Sequence, residues 1–169
     1  MTNSECYQLI TSIATVFIAV LALGLTIWQA RMTRRHNYNS VKPLLSFERH
    51  YVRTDTGFGI YINNNGLGPA IVIETKLYID GKEIDIIENN PWQNVGRILD
   101  IDYKFIQMGF YDKDTVIAAG DRNFLLTVDT DINDEQEEHF KNVIPRIGME
   151  IYYKSIYGIK DVVKLESRK

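Results

Sequence analysis

The chain contains one cysteine and four prolines in 169 residues. The single thiol, Cys6, can close no disulfide within the chain, so the fold must rest on packing, and such usage suits a reducing compartment. Histidine is scarce as well. His36, His50 and His139 lie far apart, with no second histidine or cysteine at metal-ligand spacing, so no metal site is expected. The catalytic signatures GxSxG and HExxH are missing. Two glycine pairs, Gly57-Phe58-Gly59 and Gly66-Leu67-Gly68, stop short of a dinucleotide fingerprint or a P-loop and read as turns. Positive charge is also in short supply: the net charge is −3, and from Asn37 onward 16 basic residues stand against 21 acidic ones. That balance excludes a global basic field for nucleic acid and leaves only local patches.

One acidic stretch needs separate treatment. Asp129-Thr130-Asp131-Ile132-Asn133-Asp134-Glu135 has the alternating oxygens that open a calcium loop. Yet Asp134 occupies the place of the required glycine, and Phe140 that of the bidentate glutamate. The stretch reads better as a strand end passing into the acidic start of a helix. The expectation is a protein that is not an enzyme and holds no cofactor. Scattered carboxylates such as Asp100 and Asp102 keep a membrane-tethered hydrolase as a third reading.

What the chain does have is an uncharged run of twenty residues, Leu9 to Trp28. As a helix it reaches about 30 Å, the thickness of a bilayer's hydrocarbon core. Tyr7 and Trp28 bracket it, as aromatic residues do at the two membrane interfaces. Arg31, Arg34 and Arg35 follow directly, whereas the preceding flank holds only Glu5 and the α-amine. The basic side stays cytoplasmic, which predicts a single-pass inner-membrane protein with its N-terminus outside and its large domain in the cytoplasm. The same arginines set topology or touch anionic lipid. A cleaved signal peptide is the rival, with Ala22-Leu23-Gly24 as a cleavage site, but a basic leading region is missing and the apolar stretch is too long.

The run is also patterned. Steps of four and three from Gln8 give Ser12, Thr15, Ala19, Ala22, Thr26 and Gln29, all small or polar, on one side of a helix. Ile10, Ile13, Phe17, Leu21 and Trp28 make the other side bulky. Small residues let helices approach, and hydroxyls and amides bond across them, so the stripe predicts a homo-oligomer or the lining of a pore. The plain alternative is an anchor whose serines and threonines bond their own backbone.

Residues 31–42 read as a basic juxtamembrane linker between a transmembrane helix over 1–30 and a domain over 43–169. From Leu44 the hydrophobic period becomes two. Strands are predicted over 44–50, 58–63, 71–79, 82–87, 103–110, 123–129, 147–156 and 160–166, with turns at 63–70 and at Asp80-Gly81. Asn90-Pro91 starts a short helix to Leu99, and Asn133 caps another to Val143. The fold class is mainly β, an antiparallel sandwich or barrel with two short helical insertions. On the last hairpin Tyr152, Lys154, Lys160 and Lys164 form a candidate patch for phosphate and base stacking. A solvated sheet face reads the same way.

The stretch Ile60-Tyr-Ile-Asn-Asn-Asn-Gly-Leu-Gly-Pro-Ala70, followed by Lys76-Leu-Tyr-Ile-Asp-Gly81, resembles the strand–turn–strand signature of immunoglobulin-like bacterial sandwich modules of the CARDB type. The resemblance implies an Ig-like β-sandwich. One short N-terminal span carrying a compact cytoplasmic domain resembles the small membrane effectors of bacterial antiviral systems of the CBASS and Hailong types. That likeness implies a non-enzymatic, homo-oligomeric effector whose sandwich senses a nucleotide or single-stranded oligonucleotide and controls a pore. The alternative is a passive anchored module that holds a protein partner at the membrane.

Overall fold

The computed structural model describes residues 3–51, 58–84, 91–101, 106–128 and 132–168. The chain divides into two compact units between Ser40 and Val41. The first is one unbroken helix, α1 (Asn3–Ser40). It contains no proline, and the residues after Trp28 include the good helix formers Gln29, Ala30, Arg31, Met32, Arg34 and Arg35. Residues 29–40 therefore continue as a rod of about 18 Å beyond the apolar run. The linker foreseen over 31–42 is helical through Ser40, and Val41 and Lys42 belong to the second unit.

Among the described residues the second unit has nine strands, with β1 (Leu45–His50), β2 (Phe58–Asn64), β3 (Ala70–Ile79) and β4 (Lys82–Ile84) first. Helix α2 (Pro91–Leu99) comes next, then β5 (Ile106–Met108), β6 (Val116–Ile117) and β7 (Arg122–Val128). Helix α3 (Asp134–Val143) and a 3-10 turn (Ile144–Arg146) lead into β8 (Ile147–Lys154) and β9 (Lys160–Leu165). All pairings are antiparallel. One sheet has the order β1-β2-β7-β5; the other has β4-β3-β8-β9, with β6 pairing β3 beside its first residues.

The two sheets share one core. Ile60, Ile62 and Leu126 from the first sheet join Val72, Leu77, Met149 and Ile151 from the second in a single buried cluster. Val95 and Leu99 of α2 and Phe140 and Val143 of α3 complete it. The observed class is a mainly-β domain of two sheets with short helical insertions, preceded by one long apolar helix. The Asn133 cap is present as a full capping box: its side chain accepts from Gln136 N, and the Gln136 side chain accepts from Asn133 N.

Two differences from the sequence reading have local causes. β6 was not foreseen, because two residues carry no period. The strand expected to reach Ile156 ends at Lys154, where Ser155 to Ile159 close a turn with Gly158 at φ 78°. Of the strands expected over 82–87 and 103–110, residues 85–87 and 103–105 lie outside the described residues; β4 is the described part of the first, and β5 ends at Met108, two residues before the expected end of the second.

The asparagine-rich turn at 63–70 has a specific task. Asn64 is 1% exposed, yet its polar atoms are satisfied: Nδ2 donates to the carbonyls of Gly68, Ile117 and Ala118, and Oδ1 accepts from the backbone N–H groups of Leu44 and Gly66. Leu67 N donates to Lys42 O, and Asn65 N to Leu44 O. A Cβ on Gly66 would collide with Lys42 O and Leu44 N, and one on Gly68 with Val41 O. The turn is thus moulded on the backbone that leads into β1. It clamps Val41–Leu44 immediately after α1 ends.

Candidate functional site

Every stripe residue (Gln8, Ser12, Thr15, Ala19, Ala22, Thr26 and Gln29) lies on α1 and is exposed along the single chain. The hydroxyls bond their own helix: Ser12 Oγ donates to Gln8 O at 2.8 Å, Thr15 Oγ1 to Thr11 O at 2.7 Å and Thr26 Oγ1 to Ala22 O at 2.8 Å. Each therefore enters lipid with its proton satisfied and its oxygen still able to accept. Arg31, Arg34 and Arg35 are also exposed on the helix, at i, i+3 and i+4, so helical continuation gathers them on one face. α1 is long and apolar enough to cross a membrane. The chain is a membrane-anchored protein with a β-rich soluble domain.

The hairpin residues do share a face. In the β8–β9 register Lys154 lies opposite Lys160, Tyr152 opposite Val162 and Glu150 opposite Lys164. Sequence reasoning omitted the residue at the centre. Glu150 accepts from Lys164 Nζ at 2.6 Å and from Tyr152 OH at 2.8 Å, with Tyr78 OH at 3.5 Å. The Lys164 bond, then the Tyr152 bond, hold the Glu150 carboxyl below the ordinary glutamate value, and the same contacts push the Lys164 ammonium and Tyr152 phenol upward. Two of the four patch residues are thus committed to a carboxylate. Lys154 and Lys160, the cross-strand pair nearest the turn, have no ion-pair partner among the described residues.

The opposite sheet also carries a polar network on its outer face. Glu48 takes a hydrogen bond from Asn63 Nδ2 at 3.0 Å and pairs with Arg122 at 3.3 Å. Arg122 lies over the Tyr61 ring at 4.4 Å, and burial raises the Tyr61 phenol despite that cation. These groups bond one another, but Asn63 Oδ1 is buried without a hydrogen-bond partner. Of the three histidines, His36 is exposed on α1, His50 lies 3.9 Å from Glu48, and His139 Nε2 is 3.1 Å from Asp100 O. Among the described residues no group of three metal-ligating side chains converges. Asp102 and residues 129–131 of the calcium-like stretch lie outside the described residues, while Asn133 of that stretch is a helix cap.

The clefts among the described residues of the domain include two that are open to solvent. One, of about 640 Å³, runs along β3 past Thr75, Lys76, Glu83 and Tyr111. Lys76 lies 3.7 Å from Glu83 and 3.9 Å from Glu74, so the one lysine is shared by two carboxylates and the cleft offers no excess positive charge. The other, of about 460 Å³, lies where β1 and β9 meet, lined by Phe47, Arg49, Tyr51, Lys164, Glu166 and Arg168 among others. Arg49 Nη2 donates to Ile147 O at 2.9 Å and to Glu166 O at 2.6 Å, bridging the two sheets. A sequence signal for it existed. Alternation in β1 places Arg49 on the face of Leu45 and Phe47, so a charge stands where the pattern asks for an apolar residue.

No protein-family model matches the chain, and no curated protein matches it in sequence.

Proposed function

We propose that this is a non-enzymatic, homo-oligomeric, single-span membrane effector. Its β-rich domain lies in the cytoplasm, takes up a ligand and alters how the helices pack, with a pore along the small-residue stripe as the output. The observation that carries the proposal is the stripe itself: Ser12, Thr15, Ala19, Ala22 and Thr26 are small or hydroxylated, run along one unbroken helix and are exposed on the single chain. A passive anchor has no need of such a stripe. An immunoglobulin-like sandwich, a nucleotide or oligonucleotide ligand and a role in bacterial antiviral defence belong to the same proposal and rest on resemblance alone.

The second reading is an anchored module that holds a protein partner at the membrane. Its support is the back-bonding of Ser12, Thr15 and Thr26, which makes the stripe tolerable in lipid without a neighbour. Size measurement of the full chain in detergent decides between them. The expected result is an oligomer that Thr15→Leu weakens, with a ligand-dependent ion leak in liposomes. A monomer at micromolar concentration overturns both the association and the pore.

A further inference from the structure

We infer that the cleft between β1 and β9 is a binding site for a phosphate-bearing small molecule, held by Arg49 and Arg168. This gives the proposed reading its ligand class, and rests on that reading only for what binding accomplishes. Arg49 is the one charged residue that β1 turns toward the core side, on the face of Leu45 and Phe47. Its Nη2 is spent on two carbonyls, which fixes the guanidinium in place. Its Nε is buried and has no hydrogen-bond partner. A buried unpaired N–H costs stability; Arg49 Nη1, which is not buried and forms no hydrogen bond among the described residues, is the donor left for a ligand oxygen in the cleft.

Arg168 is placed beside it deliberately, in the structural sense that the tail is pinned: Arg168 N donates to Pro145 O at 2.7 Å. Burial lowers the Arg49 guanidinium pKa, Tyr51 opposes that shift and the Arg168 charge adds to it, so the two cations that line the cleft stand close enough to act on one another. Glu166 lines the cleft but forms no ion pair among the described residues. Lys164 contributes its stem, its ammonium being held by Glu150. Like charges held together around an open, mostly hydrogen-bonding cleft favour an anion, and guanidinium groups fit phosphate oxygens in pairs. The volume suits a small ligand. Phe47 and Tyr51 supply a wall against which an organic portion packs.

The test is calorimetric titration of the full chain in detergent with inorganic pyrophosphate and, separately, with ATP. Saturable binding that weakens as salt rises is expected for both. Equal affinity means that the phosphates alone are recognised; tighter ATP binding means that the aromatic wall contributes. Arg168→Gln should weaken binding about tenfold or more without altering thermal unfolding of the free protein, because its side chain makes no hydrogen bond or ion pair among the described residues. Arg168→Lys should retain part of the affinity. The double variant Lys154→Gln, Lys160→Gln should bind as the parent does. Absence of saturable binding to both probes, or full affinity in Arg168→Gln, overturns the site. Oligomer size measured on the same samples keeps the two proposals apart: binding without any oligomer overturns the effector reading and leaves the cleft standing.

Discussion

Single residues in this domain are assigned by the polar company they keep. Glu150 shows the point, because it gathers Lys164, Tyr152 and Tyr78 on an exposed sheet face. A carboxyl whose folded value is depressed stabilises the fold fully above the ordinary value near 4.5 and loses that contribution as pH falls through the lower folded value. Thermal unfolding followed from about pH 7 to about pH 3 should therefore show a steeper acid loss in the parent than in Glu150→Gln. Identical slopes below the ordinary value would show that the contacts do not hold in solution. Exposure keeps the effect small, since surface ion pairs are worth little. The same residue explains why a lysine–tyrosine pattern on β8 and β9 is a poor guide to ligand binding. Its neighbours are already occupied.

At the scale of elements, the turn at 64–68 is the least replaceable piece. Asn64 satisfies three carbonyls and two N–H groups from a buried position. Asn64→Ala strands several of them and should cost roughly 2–3 kcal/mol in urea unfolding. A loss under about 0.5 kcal/mol, the range of neutral surface changes, would mean that water replaces the side chain without penalty. Much of the architecture was legible in the sequence. Leu9–Trp28 showed itself by length and charge, Asp80-Gly81 by its preference for positive φ, realised at 52° and 78°, and α3 by Asn133 and its acidic first turn. The clamp was not legible: Asn-Asn-Asn-Gly-Leu-Gly reads as a turn, and nothing local reveals which backbone it is moulded on. The cleft residues failed for a similar reason. Arg49 and Arg168 are 119 positions apart, and only the meeting of two sheet edges brings them together; the misplaced charge in β1 was the single hint.

For the whole molecule, orientation is the property on which function turns. The cluster Arg31, Arg34 and Arg35 on one face of α1 is exposed and strengthens the cytoplasmic placement proposed for the domain. Protease added outside intact cells should leave residues 41–169 uncut, and permeabilised cells should lose them. Digestion from outside would reverse the topology and, with it, any cytoplasmic ligand.

The clamp on Val41–Leu44 also sets how β1 enters its sheet. Lys42 O and Leu44 are held by Leu67 N, Asn65 N and the Asn64 side chain. Among the described residues β1 is a six-residue edge strand laddered to β2. Its fifth residue is Arg49, fastened across to Ile147 and Glu166. The edge is therefore tied down at both ends, and freeing it from β2 requires that the asparagine clamp and the arginine bridge give way together.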